Sequence, residues 1–117
     1  MMAIHNKDSR LDDPKVFFGR LLTAAFPQAQ AEYRFHPKRR WKIDWYLPEH
    51  KIGIEIEGGI WIKGRHTRPS GFVKDMEKYN TAALMGVRIY RISHTDLRSV
   101  SKILSHFTLI KHYAAMV

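Results

Sequence analysis

The chain has 117 residues, of which 44% are apolar and 26% charged, values that fit one ordinary globular domain. It contains no cysteine, which excludes disulfides, thiolate metal sites and a cysteine nucleophile. No apolar run is long enough to cross a membrane and no signal peptide is visible, so we expect a cytoplasmic protein without a membrane partner.

The charge balance favours a polyanionic partner. Lys and Arg number 20 against 11 Asp and Glu, which gives a net charge of +9. In so small a domain, this excess favours nucleic acid as the partner. A generally basic surface without a nucleic-acid partner is the alternative, and the sequence leaves open whether the chain forms a homodimer.

The first half of the chain predicts one helix and three strands. Asp13 and Pro14 are typical of a helix start, apolar residues then recur at helical spacing, and Pro27 ends the pattern. The predicted strands are Glu32–His36, Trp41–Leu47 and Ile52–Glu57. Because the turns between them are short, we expect the three strands to pair in antiparallel succession.

The second half predicts a loop, a helix, a strand and a final helix. The loop is Gly58–Gly71, and the helix is Phe72–Met85 with Gly86 as its C-cap. The inner face of this helix is predicted at Phe72, Met76, Tyr79, Ala83 and Leu84.

The remaining elements complete an α/β fold. Val87–Ile92 alternates as a strand, and the helix before it implies that it pairs in parallel with Ile52–Glu57. Thr95 and Asp96 precede a last helical stretch, Leu97–Tyr113, with a break near Phe107. We therefore expect a single domain over 1–117, with an αβββαβ core at 13–92, a mixed four-stranded sheet flanked by helices, and a helical segment at 95–115.

Three acidic residues stand out in the predicted strands. Glu55 and Glu57 lie on one strand face because side chains alternate, and a turn centred on Glu49 and His50 places Asp44 directly opposite Glu55. Opposed residues lie about 5 Å apart at Cβ, and like charges there repel. A divalent cation with oxygen ligands, Mg²⁺ or Mn²⁺, would remove that repulsion. Acids that are only solvated are the alternative.

The order of elements and these acids resemble the PD-(D/E)XK nuclease superfamily, also called restriction-endonuclease-like. The pieces that carry the resemblance are the segments IDW, EIEGG, GRHTR and FVKDMEKYN, within roughly residues 13–92. Within this superfamily, the chain is similar to the small very-short-patch-repair-like endonucleases and to small phage and prophage proteins. The resemblance implies metal-dependent hydrolysis of DNA phosphodiester bonds, in DNA processing, repair or recombination.

The resemblance also implies a metal site, and this chain departs from the family pattern at one position of it. Asp44 and Glu55 would bind Mg²⁺ or Mn²⁺ together with the carbonyl of Ile56. The family usually has a lysine two residues after the second acid, where this chain has Glu57. Glu57 would then help to bind a second metal or orient water, or Lys78, Lys74 or His66 would supply the missing function, or the site would be inactive.

Basic residues around these acids are candidates for phosphate binding. They are Arg34, Lys38, Arg39, Arg40, Lys42, Lys63, Arg65, Arg68 and Lys74. The leading hypothesis is a Mg²⁺-dependent DNA endonuclease. The alternatives are a catalytically inactive nucleic-acid-binding module of the same fold and a basic protein-interaction domain.

Overall fold

The computed structural model describes residues 13–58 and 69–116, with only the backbone of 69–72. The helices are α1 (Pro14–Ala25), α2 (Pro69–Leu84) and α3 (Val100–Ala115). The strands are β1 (Gln30–Tyr33), β2 (Ile43–Leu47), β3 (Ile52–Glu57) and β4 (Arg88–Ser93). A short 3₁₀ helix, His94–Arg98, joins β4 to α3.

The four strands form one mixed sheet in the order β1-β2-β3-β4. β1, β2 and β3 pair antiparallel, and β4 pairs in parallel with β3 across the connection that contains α2. The predicted α/β class, the mixed four-stranded sheet and the parallel pairing are confirmed.

The register of β2 and β3 fixes which side chains face each other. Trp45 lies opposite Ile54 and Leu47 opposite Ile52. One step further in the same register places Asp44 opposite Glu55, as the predicted turn requires. The tight turn between the strands is closed by the His50 amide, which donates to the Leu47 carbonyl at 3.1 Å.

The two faces of the sheet carry different cores. On one face, α1 and α3 pack against β2, β3 and β4 through fully buried residues such as Phe18, Leu22, Ile54, Ile92 and Ile110. Each such side chain contributes about 1.5–3 kcal/mol by its removal from water.

The other face carries a smaller cluster, in which Ala82 of α2 packs with Tyr46 and Val87. Because side chains alternate along a strand, Asp44 and Glu55 point to this α2 face.

Several boundaries differ from those predicted. The first strand ends at Tyr33 instead of His36, the second begins at Ile43 instead of Trp41, and the fourth runs over Arg88–Ser93. α2 begins at Pro69, so the last three residues of the predicted loop belong to the helix. The rest of that loop, 59–68, lies outside the described residues.

The C-terminal helix was predicted wrongly in two respects. Its N-cap is Ser99, whose hydroxyl accepts from the Lys102 amide, because Thr95 and Asp96 lie in the separate 3₁₀ helix. The helix continues past Phe107 without a break. The residues of that region keep regular helical spacing, with Ile103, Ile110 and Ala114 on the buried face.

The predicted inner face of α2 is right at Tyr79 and wrong at Met76, Ala83 and Leu84, which are exposed, while the side chain of Phe72 lies outside the described residues. Met76 is 49% exposed and Leu84 is 89% exposed, while Lys78 and Tyr79 are half-buried against the sheet. Ala82 is the one fully buried side chain that the structure describes on this helix. Lys78 and Tyr79 turn inward because both contact Glu55 on the sheet below the helix.

No helix within 13–58 and 69–116 has the length and apolar character needed to cross a lipid bilayer.

Gly86 supports a stability prediction. Its φ of +84° is a conformation that L residues rarely adopt, at the point where α2 ends. Among the described residues, a Cβ there would meet only the flexible end of Lys51, at 3.3 Å from Nζ. Gly86→Ala should therefore lower the free energy of unfolding by about 1 kcal/mol through backbone strain, as measured by urea denaturation. Gly86→Asn should lose less, since asparagine tolerates positive φ. Equal stability of the alanine variant and the wild type would contradict this reason.

Candidate active site

The carboxylates of Asp44 and Glu55 are held side by side across β2 and β3. Asp44 Oδ2 accepts a hydrogen bond from the Ile56 amide at 2.7 Å. Glu55 Oε1 lies 3.4 Å from the Asp44 amide, at the long limit of a hydrogen bond. Each acid is thus tied to the backbone of the neighbouring strand by one oxygen. The predicted pair of acids is brought together by the register.

Lys78 reaches into this acid pair from α2. Its Nζ lies 2.5 Å from Glu55 Oε2, and the Tyr79 hydroxyl donates to the same oxygen at 3.2 Å. The side chains of Lys78 and Glu55 are only 17% and 7% exposed. Of the lysines suggested to replace the missing family lysine, Lys78 is the one whose ammonium contacts an acid of the pair. Lys74, one turn earlier, is exposed.

Burial governs the electrostatics of Glu55. It raises the pKa of the Glu55 carboxyl above its ordinary value, and the neighbouring Asp44 adds to the rise, while Lys78 opposes it. The pKa of Tyr79 is raised by burial and by the negative charges of Glu55 and Glu57. The Tyr79 hydroxyl therefore keeps its proton and remains a donor to Glu55. The site holds a buried negative charge that a cation stabilises.

Glu57 shares the face of Glu55 but has a different partner. It forms an ion pair with Arg91 of β4. The guanidinium of Arg91 lies over the Tyr79 ring, at 4.5 Å from the ring centre. Glu57 therefore joins Tyr79 and Arg91 in a second polar group beside the acid pair, and its partner among the described side chains is a cation of the chain itself.

The donors around the acid pair suit a hard divalent cation. Asp44 and Glu55 offer carboxylate oxygens, and Ile56 between the two glutamates can add a backbone carbonyl. Mg²⁺ commonly takes only one or two carboxylates and keeps several waters, so two acids and a carbonyl are a sufficient set. Within the residues that the structure describes, no group of three or more acidic or histidine side chains gathers at one point. Any metal here would thus have few protein ligands.

Part of the predicted basic patch is already paired with acids. Arg39 Nη1 lies 2.9 Å from Glu77 Oε2, and Lys42 Nζ lies 2.9 Å from Glu32 Oε1. Arg39 also stacks on Trp41, with its guanidinium 3.8 Å from the ring centre. Both ion pairs are exposed, so each contributes little stability and can exchange for a phosphate.

Three other predicted cations are exposed on the same turn region and make no ion pair with a described acid. They are Arg34, Lys38 and Arg40. The turn is shaped by His36, whose Nδ1 accepts hydrogen bonds from the Lys38 and Arg39 amides at 3.1 and 2.9 Å. The candidates Lys63, Arg65, His66 and Arg68 lie outside the described residues.

The sequence prediction missed two participants. Arg91 was assigned only to a strand, and Tyr79 was assigned to the core, although its hydroxyl contacts Glu55. The parallel register pairs Arg91 with Glu55 directly. The register could have identified Arg91 from the sequence, because it follows from the predicted parallel pairing once the ends of β3 and β4 are placed correctly.

Comparison with known proteins gives no relative for this chain: no family model, no curated protein and no solved structure matches it. The function is therefore argued from the geometry of the site.

The pair of Glu55 and Lys78 predicts a pH-dependent stability. In Lys78→Met, Glu55 loses its cation while it stays buried, which should lower the free energy of unfolding by about 1–3 kcal/mol at pH 8. The folded-state pKa of Glu55 is raised, so the folded protein keeps the proton at pH values where the unfolded chain has lost it. The loss relative to wild type should accordingly grow as pH rises above 4.5, the ordinary value of a glutamic acid, and fade as pH falls toward it.

Urea denaturation of both proteins across pH 5 to 8 measures this difference. The double variant Glu55→Gln with Lys78→Met is the control, since it removes both charges and should recover stability without the pH trend. A loss in Lys78→Met that is the same at every pH would show that the ion pair does not cause it.

Proposed function

We propose that this chain is a metal-dependent DNA endonuclease with a restriction-endonuclease-like fold. The observation that carries the proposal is the opposed pair of Asp44 and Glu55 with the Lys78 ammonium on Glu55. Two acids and a lysine at one point of a mixed sheet are what the resemblance implies, although the lysine comes from a helix instead of the acidic strand. The net charge of +9 supports a polyanionic substrate.

The residues that would hold Mg²⁺ or Mn²⁺ are Asp44, Glu55 and the carbonyl of Ile56. A cation bound there would supply a more acidic water and neutralise charge on the phosphoryl oxygens. Lys78 would place a fixed positive charge beside the reacting phosphate, where a buried charge is most effective. Tyr79 would keep Glu55 in position through its hydrogen bond.

The cations on the turn before β2 would bind the DNA backbone. Arg34, Lys38 and Arg40 have no described acid partner, and Arg39 can exchange Glu77 for a phosphate because both side chains are exposed, by 45% and 52%. The connection 34–42 that carries them leads into β2, the strand of Asp44, and Arg39 contacts Glu77, the neighbour of Lys78 on α2. Their position next to the acids supports a role in placing the phosphate chain, without reading its sequence.

One observation favours a second candidate, an inactive DNA-binding module of the same fold. The Lys78 ammonium already stabilises the buried Glu55 carboxylate, so the fold does not need a metal for that purpose. Glu57, in place of the family lysine, is also paired within the chain. The two candidates differ in whether the protein cleaves DNA at all.

Removing the charge of either acid should abolish cleavage. Asp44→Asn keeps an oxygen that can accept from the Ile56 amide, and Glu55→Gln keeps the shape of the side chain, so both should fold. Each should reduce cleavage of DNA in Mg²⁺ by a factor of 100 or more, ~3 kcal/mol of transition-state stabilisation. Gel assays with plasmid, branched and single-stranded DNA, in Mg²⁺, Mn²⁺ and EDTA, measure this.

Glu49→Gln is the matched control, because Glu49 is an exposed acid in the β2–β3 turn, and it should cleave like wild type. Wild-type protein that binds DNA but cleaves none of these substrates would favour the inactive module. Wild-type rates in Asp44→Asn would contradict the assigned site.

Lys78 should affect the chemical step more than DNA binding. Lys78→Met should slow single-turnover cleavage by about 10²–10³, and Lys78→Arg should recover part of the rate because it restores the positive charge. DNA affinity measured in EDTA should change less than about threefold, since one of many cations is lost.

Lys15→Met, at the start of α1 on the other side of the sheet, is the control for loss of a lysine. Circular dichroism at the assay pH separates a slow enzyme from an unfolded one. A Lys78→Met variant that is folded and cleaves at the wild-type rate would remove Lys78 from the mechanism and leave Glu57 and His66 as candidates.

A further inference from the structure

Two groups of acids and cations lie side by side on the α2 face of the sheet. The first is the acid pair of Asp44 and Glu55, with the Lys78 ammonium on Glu55. The second is the ion pair of Glu57 with Arg91, which joins β3 to β4. Because the resemblance predicts a lysine where Glu57 stands, the second group needs an explanation of its own.

The backbone fixes how close the two groups lie. Glu55 and Glu57 are two residues apart on β3, so their side chains share a face and their Cα atoms lie about 7 Å apart. Arg91 is the register partner of Glu55 on β4, at the usual spacing of about 4.8 Å between neighbouring strands. Arg91 therefore starts beside one acid of the acid pair and reaches diagonally to the next acid along β3.

Three side chains surround the guanidinium of Arg91. Its Nε donates to Glu57, and its carbon lies 4.5 Å from the centre of the Tyr79 ring. Asp75, one turn before Tyr79 on α2, lines a small cavity together with Arg91. The hydrogen bond to Glu57 is the main cause of the raised pKa of Arg91, and the charge of Asp75 contributes. Since a guanidinium keeps its proton, Arg91 is a permanent positive charge at this point.

The ion pair occupies the acid that a second metal ion would need. Two-metal sites hold their ions about 3.5–4 Å apart. A second ion so close to one on the acid pair would require Glu57, the next acid on the same face of β3. Glu57 would first have to give up Arg91, and Arg91 would have to leave the Tyr79 ring. The carboxylate is neutralised instead by a cation that the chain itself supplies.

We infer that the guanidinium of Arg91 takes the place of a second metal ion. The site then binds one divalent cation, on Asp44 and Glu55, and Glu57 is a positioning residue for Arg91 instead of a metal ligand. The inference rests on the proposed function and specifies its metal stoichiometry. Like a second ion, Arg91 adds positive charge beside the acid pair, but it does so at every metal concentration.

Mn²⁺ binding in the absence of DNA tests the stoichiometry. Electron paramagnetic resonance counts free Mn²⁺ in titrations of wild type and of the double variant Glu57→Gln with Arg91→Met. Wild type should bind one ion. The double variant replaces a neutral ion pair by two neutral side chains, so it should also bind one ion, with a Kd within about threefold of wild type.

Single variants of Arg91 test its charge. Arg91→Met should tighten Mn²⁺ binding about tenfold, because it removes a positive charge beside the acid pair and frees the Glu57 carboxylate. Arg91→Lys keeps the charge and should restore the wild-type affinity. A role of Arg91 in stability alone would not make the methionine variant bind the metal more tightly.

Arg88→Met is the matched control. Arg88 is an exposed arginine of the same strand, and it lies opposite Ile52 in the register, on the face of α1 and α3. This variant should bind one Mn²⁺ with the wild-type affinity. Circular dichroism checks that each variant is folded, and the stoichiometry of wild type decides between one ion and two without any variant.

The outcomes separate this inference from the proposed function. Two ions on wild type, more than threefold weaker binding in the double variant, or unchanged affinity in Arg91→Met would overturn the inference and leave the nuclease proposal in place. One ion on a protein that never cleaves DNA would keep the inference and overturn the nuclease proposal. A wild type that binds no Mn²⁺ would overturn the metal site and this inference together.

Discussion

The buried carboxylate of Glu55 is the constraint on which this face of the protein depends. It points from a central strand into the space under α2, where it is 6% exposed. A charge so placed requires a cation and hydrogen-bond donors, because its desolvation is otherwise expensive. Lys78 and Tyr79 meet that requirement, and in doing so they fix the rotation of α2 on the sheet. The acid therefore organises the helix, as well as the site.

Much of this arrangement could be predicted from the sequence because it is local. The opposition of Asp44 and Glu55 follows from a short turn and the two-residue period of strands, and neither depends on distant contacts. The start of α1 at Asp13 and the end of α2 at Gly86 follow from capping chemistry in the same way. Such features are set by neighbours in the chain.

The wrong or missing predictions concern features that are set by contacts between residues far apart in the sequence. The apolar residues Met76 and Leu84 suggested the inner face of α2, but the buried acid attracts Lys78 and outweighs them. Arg91 was missed because its contacts depend on the exact register of β3 and β4 and on the position of Tyr79, which the predicted parallel pairing alone does not give. The ion pair of Arg39 with Glu77 was not predicted either. Arg39 was proposed to bind phosphate because it lies in a cluster of cations, and Glu77 is too far away in the sequence to suggest the pair.

The ion pair of Lys78 with Glu55 couples the position of α2 on the sheet to any ligand that binds Glu55. Among its described side chains only Ala82 is fully buried, and the ion pair of Lys78 with Glu55 is a further contact that holds the helix to the sheet. A ligand that competes with Lys78 for the Glu55 oxygens loosens that attachment, and by thermodynamic linkage a displaced helix favours the ligand equally. Occupancy of the acids and the position of α2 on the sheet are therefore two measures of one equilibrium.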